Sequence, residues 1–382
     1  MRLGDCCKTN LHTYSDKEKW SLIRYLDTGS ITEGRIDEIQ TLYPGVDKIP
    51  SRARRKASVG DILFSTVRPN QKHYGIIEAG TENLLVSTGF TVVTVDTTIA
   101  DPYFIYYYLT QSSVIESLQA IAEQSTSTYP SIKPSDIEDI ELDLPELETQ
   151  KKIGSTLRML DRKIALNEEI NDNLQQQAAA LFSSLYDRTN TEVRFTDLIQ
   201  ILGGGTPKTG ENTYWNGNIA FFTPKDVGTP YTLSTEKTIT EEGLSHCNSR
   251  LYPVNTVFVT ARGTVGKVGM SGVPMAMNQS CYALVGKETH QLLVYFYTLK
   301  TVDRLKHKAS GAVFDAITTR DFESEQIMKL SDEDAKSFLC IAAPMFQKVL
   351  DNGIENQRLS TLRDSLLPKL MSGEIDVSAV QL

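Results

Sequence analysis

Apolar residues recur at alternating steps of four and three along two segments of the chain. Between about Glu148 and Tyr186 they fall at Ile153, Leu157, Leu160, Ile164, Leu174, Ala178, Leu181 and Leu185, with Asn167 and Asn171 in the same register. Between about Asp332 and Met371 they fall at Phe338, Ala342, Met345, Val349, Leu359, Leu366 and Leu370, with Asn352, Asn356 and Arg363 in register. This spacing predicts two long helices that pair along a left-handed seam. Leu144-Pro145 before the first is a start signal, and Ser372-Gly373 after the second is a C-terminal cap. Both seams turn polar at the same place. In an antiparallel pair the four asparagines would face one another near the middle and fix the register at some cost in stability. The alternative is a solvated break in two separate amphipathic helices. About 40 residues at ~1.5 Å each span roughly 60 Å, so such a pair is a ruler.

Each long helix follows a β-rich region. Short apolar runs at Asp61–Val67, Phe90–Val95, Ile219–Thr223, Thr256–Ala261 and Cys281–Val285 predict strands. Aromatic patches at residues 103–108 and 294–297 read as core helices. The two regions repeat each other. Adding 185 carries Tyr129 to Phe314, Ile132 to Ile317, Asp136 to Asp321, Asn171 to Asn356 and Leu185 to Leu370. Further upstream the offset drifts, and residues 60–65 match residues 255–260, after which Arg68 falls opposite Arg262. The expected organisation is residues 1–144, a helix over 145–190, a second copy over 191–330, and a second helix over 331–382.

Composition narrows the class. The 382 residues are 40% hydrophobic and 23% charged, which excludes a disordered or collagen-like chain. No stretch approaches the ~18 apolar residues of a membrane span, and the N-terminal residues lack a secretory apolar run. Five cysteines without a Cys-x-x-Cys pair predict a reduced, cytoplasmic chain with no zinc ribbon. Net charge is −9, which argues against bulk electrostatic wrapping of nucleic acid but leaves room for local basic surfaces. Residues 191–330 carry 14 Lys and Arg against 13 Asp and Glu; residues 1–144 carry 14 against 20.

Several motifs resemble a known family. Gly204-Gly205-Thr206-Pro207-Lys208, followed by Tyr214-Trp215-Asn216-Gly217-Asn218-Ile219 and Thr223-Pro224-Lys225-Asp226-Val227, resembles the opening of a target-recognition domain in the specificity subunit of type I restriction-modification systems. Tyr25–Ile31 and Gly60-Asp61-Ile62-Leu63 resemble a variant of that opening, without the Gly-Gly-Thr-Pro turn. Residues 144–153 resemble the beginning of the family's central spacer helix, and residues 367–375 the end of its distal one. The stretch Leu330-Ser331-Asp332-Glu333 lacks the Leu-Pro signature. The resemblance implies an α+β protein: two target-recognition domains, related by a pseudo-two-fold and separated by two antiparallel coiled-coil spacer helices. It implies a non-catalytic subunit that reads a split, asymmetric site on double-stranded DNA. Two methyltransferase subunits, with S-adenosylmethionine and a flipped adenine, and restriction/translocase subunits, with ATP and Mg²⁺, would be its partners. No cofactor and no metal is expected in the chain itself. The rival readings are an enzyme, a nuclease or fused methyltransferase, and a coiled-coil scaffold without DNA readout.

Catalytic motifs are incomplete. The turn at Gly205–Gly210 continues Glu211-Asn212, without the Lys and hydroxyl of a phosphate-binding loop. Asp101-Pro102-Tyr103 has one proline too few for an amino-methyltransferase loop. Asp161-Arg162-Lys163 could end a nuclease signature, but inside a heptad it reads as a solvated helix face. The five histidines lack ligand spacing. Candidate DNA contacts are therefore cations and loop residues. In the first copy these are Arg52, Arg54, Arg55 and Lys56, with Arg68, Lys72, Thr128 and Tyr129. In the second copy they are Thr206, Lys208, Lys225, Arg262, Lys267 and Phe314, with Arg304, Lys306 and Lys308 behind them. Trp20 and Trp215 read as core.

Overall fold

A computed structural model describes residues 1–125, 129–228, 230–308 and 316–377. The chain divides into two compact units, Met1–Lys163 with Leu359–Leu382, and Ile164–Arg358. Each unit combines one sheet-bearing head with a stretch of both long helices.

The first head contains strands β1 (Cys7–Thr9), β2 (Ile23–Leu26), the hairpin β3 (Ile31–Thr32) and β4 (Arg35–Ile36), then β5 (Gln40–Leu42), β6 (Ala53–Lys56), β7 (Ile62–Ser65), β8 (Tyr74–Ile76), β9 (Leu84–Ser87) and β10 (Phe90–Val95). One sheet runs β1-β10-β7-β8, entirely antiparallel. A second runs β5-β2-β9-β6, with β2 and β9 parallel. Strands β7 and β9 are buried on both faces and β10 nearly so, which is why they read as apolar runs rather than alternating ones. Helix α1 (Pro102–Leu109) begins at an Asp101 cap, whose carboxylate accepts the Phe104 N–H at 2.9 Å, with proline at the first helical position. Helices α2 (Ser112–Glu123) and α3 (Pro134–Glu138) follow. Phe104, Ile105, Leu109, Leu118 and Ile137 bury against Ile153 and Leu157 of α4 (Leu147–Tyr186) and Leu370 of α9 (Asp332–Met371). Gly154 permits the close approach: a Cβ there would lie 2.6 Å from Asp101 Oδ1 and 3.0 Å from Phe104 N.

The second head repeats this plan. It contains β11 (Glu192–Arg194), α5 (Phe195–Leu198), β12 (Ile199–Gly203), β13 (Trp215–Phe222), β14 (Tyr231–Thr232), β15 (Lys237–Ile239), α6 (Glu241–Ser245), β16 (Val257–Thr260), β17 (Val268–Ser271), β18 (Met275–Met277) and β19 (Cys281–Gly286). After these come α7 (Gln291–Lys308), α8 (Thr319–Ser324) and β20 (Gln326–Met328). Its main sheet runs β12-β19-β16-β17, matching β1-β10-β7-β8, with β14 added at the edge; β11 pairs with β20. Its second sheet, β15-β13-β18, keeps the parallel pair.

Equivalent bonds confirm the duplication. The Ile132 N–H donates to the Thr66 carbonyl at 2.9 Å, and the Ile317 N–H donates to the Ala261 carbonyl at 2.9 Å. Asp136 caps α3 by accepting the Lys133 N–H at 2.7 Å, and Asp321 caps α8 by accepting the Thr318 N–H at 2.7 Å. The repeated Ile-x-x-x-Asp signal thus encodes an anchored bridge and a helix cap. The preceding loop residues Thr128 and Phe314 lie outside the described residues.

All ten seam positions on each long helix are buried or half-buried. In the second unit the helices run antiparallel, with Asn167 opposite Asn356, Asn171 opposite Asn352, and Phe182 against Phe338 with ring centroids 5.5 Å apart. In the first unit Asp161 meets Arg363. Phe182, Phe346 and Leu350 are buried although they lie off the seam. Phe182 and Phe346 pack there against Phe296 of α7, and Phe346 also meets Tyr231. All five cysteines are free, and no helix among the described residues is long and apolar enough to cross a membrane.

Candidate nucleic-acid interface

The residues of the first head's densest basic cluster differ in exposure and in partners. Strand β6 shifts register between Ala53 and Arg55 against β9. A bulge of this kind re-aims side chains. Arg55 is half-buried, and its guanidinium donates to Asn10 Oδ1 and the Phe90 carbonyl. Burial holds it below the usual arginine range. It is thereby committed to the scaffold. Lys56 pairs with Glu18 and lies over the Trp20 ring at 5.3 Å. Lys72 pairs with Glu33 at 2.6 Å. Arg52 is exposed and makes no ion pair among the described residues. Arg54, half-buried, lines a cavity of about 500 Å³ with Tyr14, Trp20, Ile23, Pro44 and Pro50.

Arg68 differs from these. It is exposed, its backbone has φ +48°, and its guanidinium lies 5.2 Å from the ring centroid of Tyr129, itself 57% exposed. The alignment of Arg68 with Arg262 needs correction. Val67 bridges Ser131, whereas Arg262 bridges Ala316. Since Ser131 and Ala316 are equivalent, Val67 matches Arg262 and Arg68 matches Gly263, whose φ is +80°. The two arginines leave the backbone one residue apart.

In the second head the glycine-rich turn is a packing device. A Cβ on Gly204 would lie 2.2 Å from the Asn278 carbonyl oxygen, and one on Gly205 2.6 Å from the Asn248 nitrogen. The Thr206 hydroxyl donates to Gln279 Oε1. The Lys208 carbonyl accepts the Trp215 indole N–H at 3.2 Å, leaving the Lys208 ammonium exposed. The Thr223–Val227 turn is locked by Asp226, which accepts the Thr223 N–H and hydroxyl at 2.8 and 2.6 Å. Lys225 projects from that turn, 3.6 Å from Glu236. Arg262 and Lys267 flank the β16–β17 connection, exposed and without an ion pair among the described residues. Of the remaining cations, Arg304 donates to the Tyr186 hydroxyl at 3.0 Å and Lys308 pairs with Glu325. Trp215 packs edge-on against Phe221, as expected of a core residue.

The long helices hold the facing asparagines that the seam predicts, and one carboxylate it does not. Asn167 donates to Asn356 Oδ1 and Glu355 Oε2, each at 2.8 Å, and Asn352 donates to Asn171 Oδ1 at 2.8 Å. The Asn352 Oδ1 atom is buried with no hydrogen-bond partner among the described residues. Arg162 and Lys163 lie on the exposed face expected of them, but Asp161 is half-buried. It accepts the Tyr107 hydroxyl at 2.5 Å and the Arg363 guanidinium at 2.7 Å. Burial, then the Asp161 carboxylate, pushes the Tyr107 hydroxyl up. The signal that could have found this site was a lone arginine in a seam position. Among the described residues, no group of three or more His, Cys, Asp or Glu could hold a metal ion.

Two tandem stretches, residues 48–176 and 188–331, match the family model of the type I restriction modification DNA specificity domain. The chain belongs to this family. It is a specificity subunit, the DNA-recognition component rather than a catalytic one. The HindI specificity subunit of Haemophilus influenzae is 24% identical, with 98% of each chain covered. The EcoR124I/EcoR124II specificity subunit of Escherichia coli is 32% identical over 173 residues, 41% of this chain and 43% of the relative. The crystal structure of a type I system S subunit from M. genitalium shares the fold at a TM-score of 0.62 and 16% identity, covering 97% of this chain and 95% of that one.

Proposed function

We propose that this specificity subunit reads a bipartite, asymmetric site on double-stranded DNA, one half through residues 1–144 and the other through residues 191–330. The observation that carries the reading is duplication with divergence. The two heads keep equivalent bonds at equivalent scaffold positions, yet present different side chains around them, Arg68 against Gly263 and Val67 against Arg262. Two copies of one frame with different exposed groups suit two different half-sites. Arg52, Arg54, Arg68, Lys208, Lys225, Arg262 and Lys267 supply the cations that face solvent wholly or in part, and Tyr129 an exposed ring.

The long helices would hold two methyltransferase subunits, which bring S-adenosylmethionine. Leu166 and Ile170, exposed four residues apart on α4, offer an apolar strip for docking. Restriction/translocase subunits, with ATP and Mg²⁺, would complete a cytoplasmic assembly. Single-molecule methylation mapping of the host, with and without this gene, tests the proposal. A split adenine-methylation motif should vanish on deletion. A methylome unchanged by deletion, together with an assembly that lacks salt-dependent DNA affinity, would instead favour a scaffold.

A further inference from the structure

We infer that Arg68 is a specificity-determining residue of the first head, presenting its forked N–H donors to the acceptor pair of a guanine edge. The inference rests on the reading that this head binds DNA. Its structural basis is local. Arg68 occupies a left-handed backbone position where the second copy has glycine, φ +48° against +80°. Side chains are disfavoured there, and such strain persists where the surroundings impose it, often at functional sites. The surroundings here hold the backbone through several bonds. The Arg68 N–H donates to the Pro130 carbonyl at 3.0 Å, Val67 bridges Ser131, and residues 69–71 form a tight helical turn. That turn is tied to α2 through the Asn70 N–H and Gln119 Oε1 at 3.3 Å.

The guanidinium is held as well. It stacks at 5.2 Å over Tyr129 and makes no ion pair among the described residues, so its fork is oriented but not consumed. Lys72, at the other end of the same turn, is neutralised by Glu33. A contact to the phosphate backbone, needed by both heads alike, would be expected at equivalent positions in both copies. Arg68 is not shared: its counterpart is Gly263, and the second copy's arginine leaves from the preceding residue. That asymmetry favours base readout over phosphate anchoring.

The test uses the full chain assembled with its methyltransferase subunits and compares Arg68→Gly and Arg68→Lys with the parent. Arg68→Gly restores the residue type that the second copy uses, so the melting temperature should hold or rise. Both variants should relax the methylation motif at one base position of one half-site, by about ten- to a hundred-fold in discrimination, and leave the other half-site intact. Arg68→Lys keeps the charge and loses the fork. Uniform weakening with an unchanged motif would make Arg68 a phosphate contact and overturn the inference, as would an unchanged motif and rate. A fall in the melting temperature of Arg68→Gly would overturn the strain argument. A parent assembly that methylates no split motif would refute the broader DNA-reading proposal instead.

Discussion

Phe182→Ala should destabilise the second unit by about 3–5 kcal/mol, the range for removing a large aromatic from a closed core. Phe182 is 1% exposed and touches four rings, Phe296, Tyr297, Phe338 and Tyr186, with centroids 5.0–5.5 Å away. These rings come from three helices, α4, α7 and α9, so no single neighbour can relax into the gap. The cavity term therefore adds to the lost transfer energy. Leu166→Ala, at an exposed position of the same helix, should cost less than about 0.5 kcal/mol. Denaturant unfolding of the two variants provides the comparison. Equal small losses would mean that α7 does not close over the long helices as described.

The second large effect concerns the charged seam of the first unit. Arg363 reaches Asp161 at 2.7 Å and Asp364 at 2.8 Å, and Asp161 also takes the Tyr107 hydroxyl. The Arg363 and Asp161 side chains are 24% and 31% exposed, so solvent screens part of the interaction. Breaking a fully buried pair costs about 3–5 kcal/mol; with this exposure, Arg363→Ala should cost about 1.5–3 kcal/mol. Most of that would come from stranding the Asp161 carboxylate. The repeat supplies the control. Adding 185 to Asp161 gives Phe346, and subtracting it from Arg363 gives Ala178, both buried in the apolar core of the second unit. Transplanting them, Asp161→Phe with Arg363→Ala and Tyr107→Phe, should recover stability to within about 1 kcal/mol of the parent. A triple variant weaker than Arg363→Ala would show that the ion pair is not exchangeable for packing.

The long helices were legible because their period repeats for ten positions, each of which the structure turns inward. Strands β7, β10, β16 and β19 were legible as apolar runs. Strand β6 was not, because Arg54-Arg55-Lys56 reads as a surface cluster. The bulge that turns Arg55 toward Asn10 leaves no mark on hydropathy. Off-seam burial at Phe182 and Phe346 was also hidden, since a two-helix seam does not anticipate a third helix. The pairing of Arg68 with Arg262 followed identical letters, whereas the backbone follows the bridges to Ser131 and Ala316. The glycine-rich turn was visible from sequence, but its reason, backbone packed against Asn278 and Asn248, was not.

The claim that two copied heads read separately is tested most directly by exchanging residues 191–330 for the equivalent segment of another family member and mapping adenine methylation. The account predicts a motif with one half replaced and the other half unchanged. A motif altered in both halves, or unaltered in both, would contradict it.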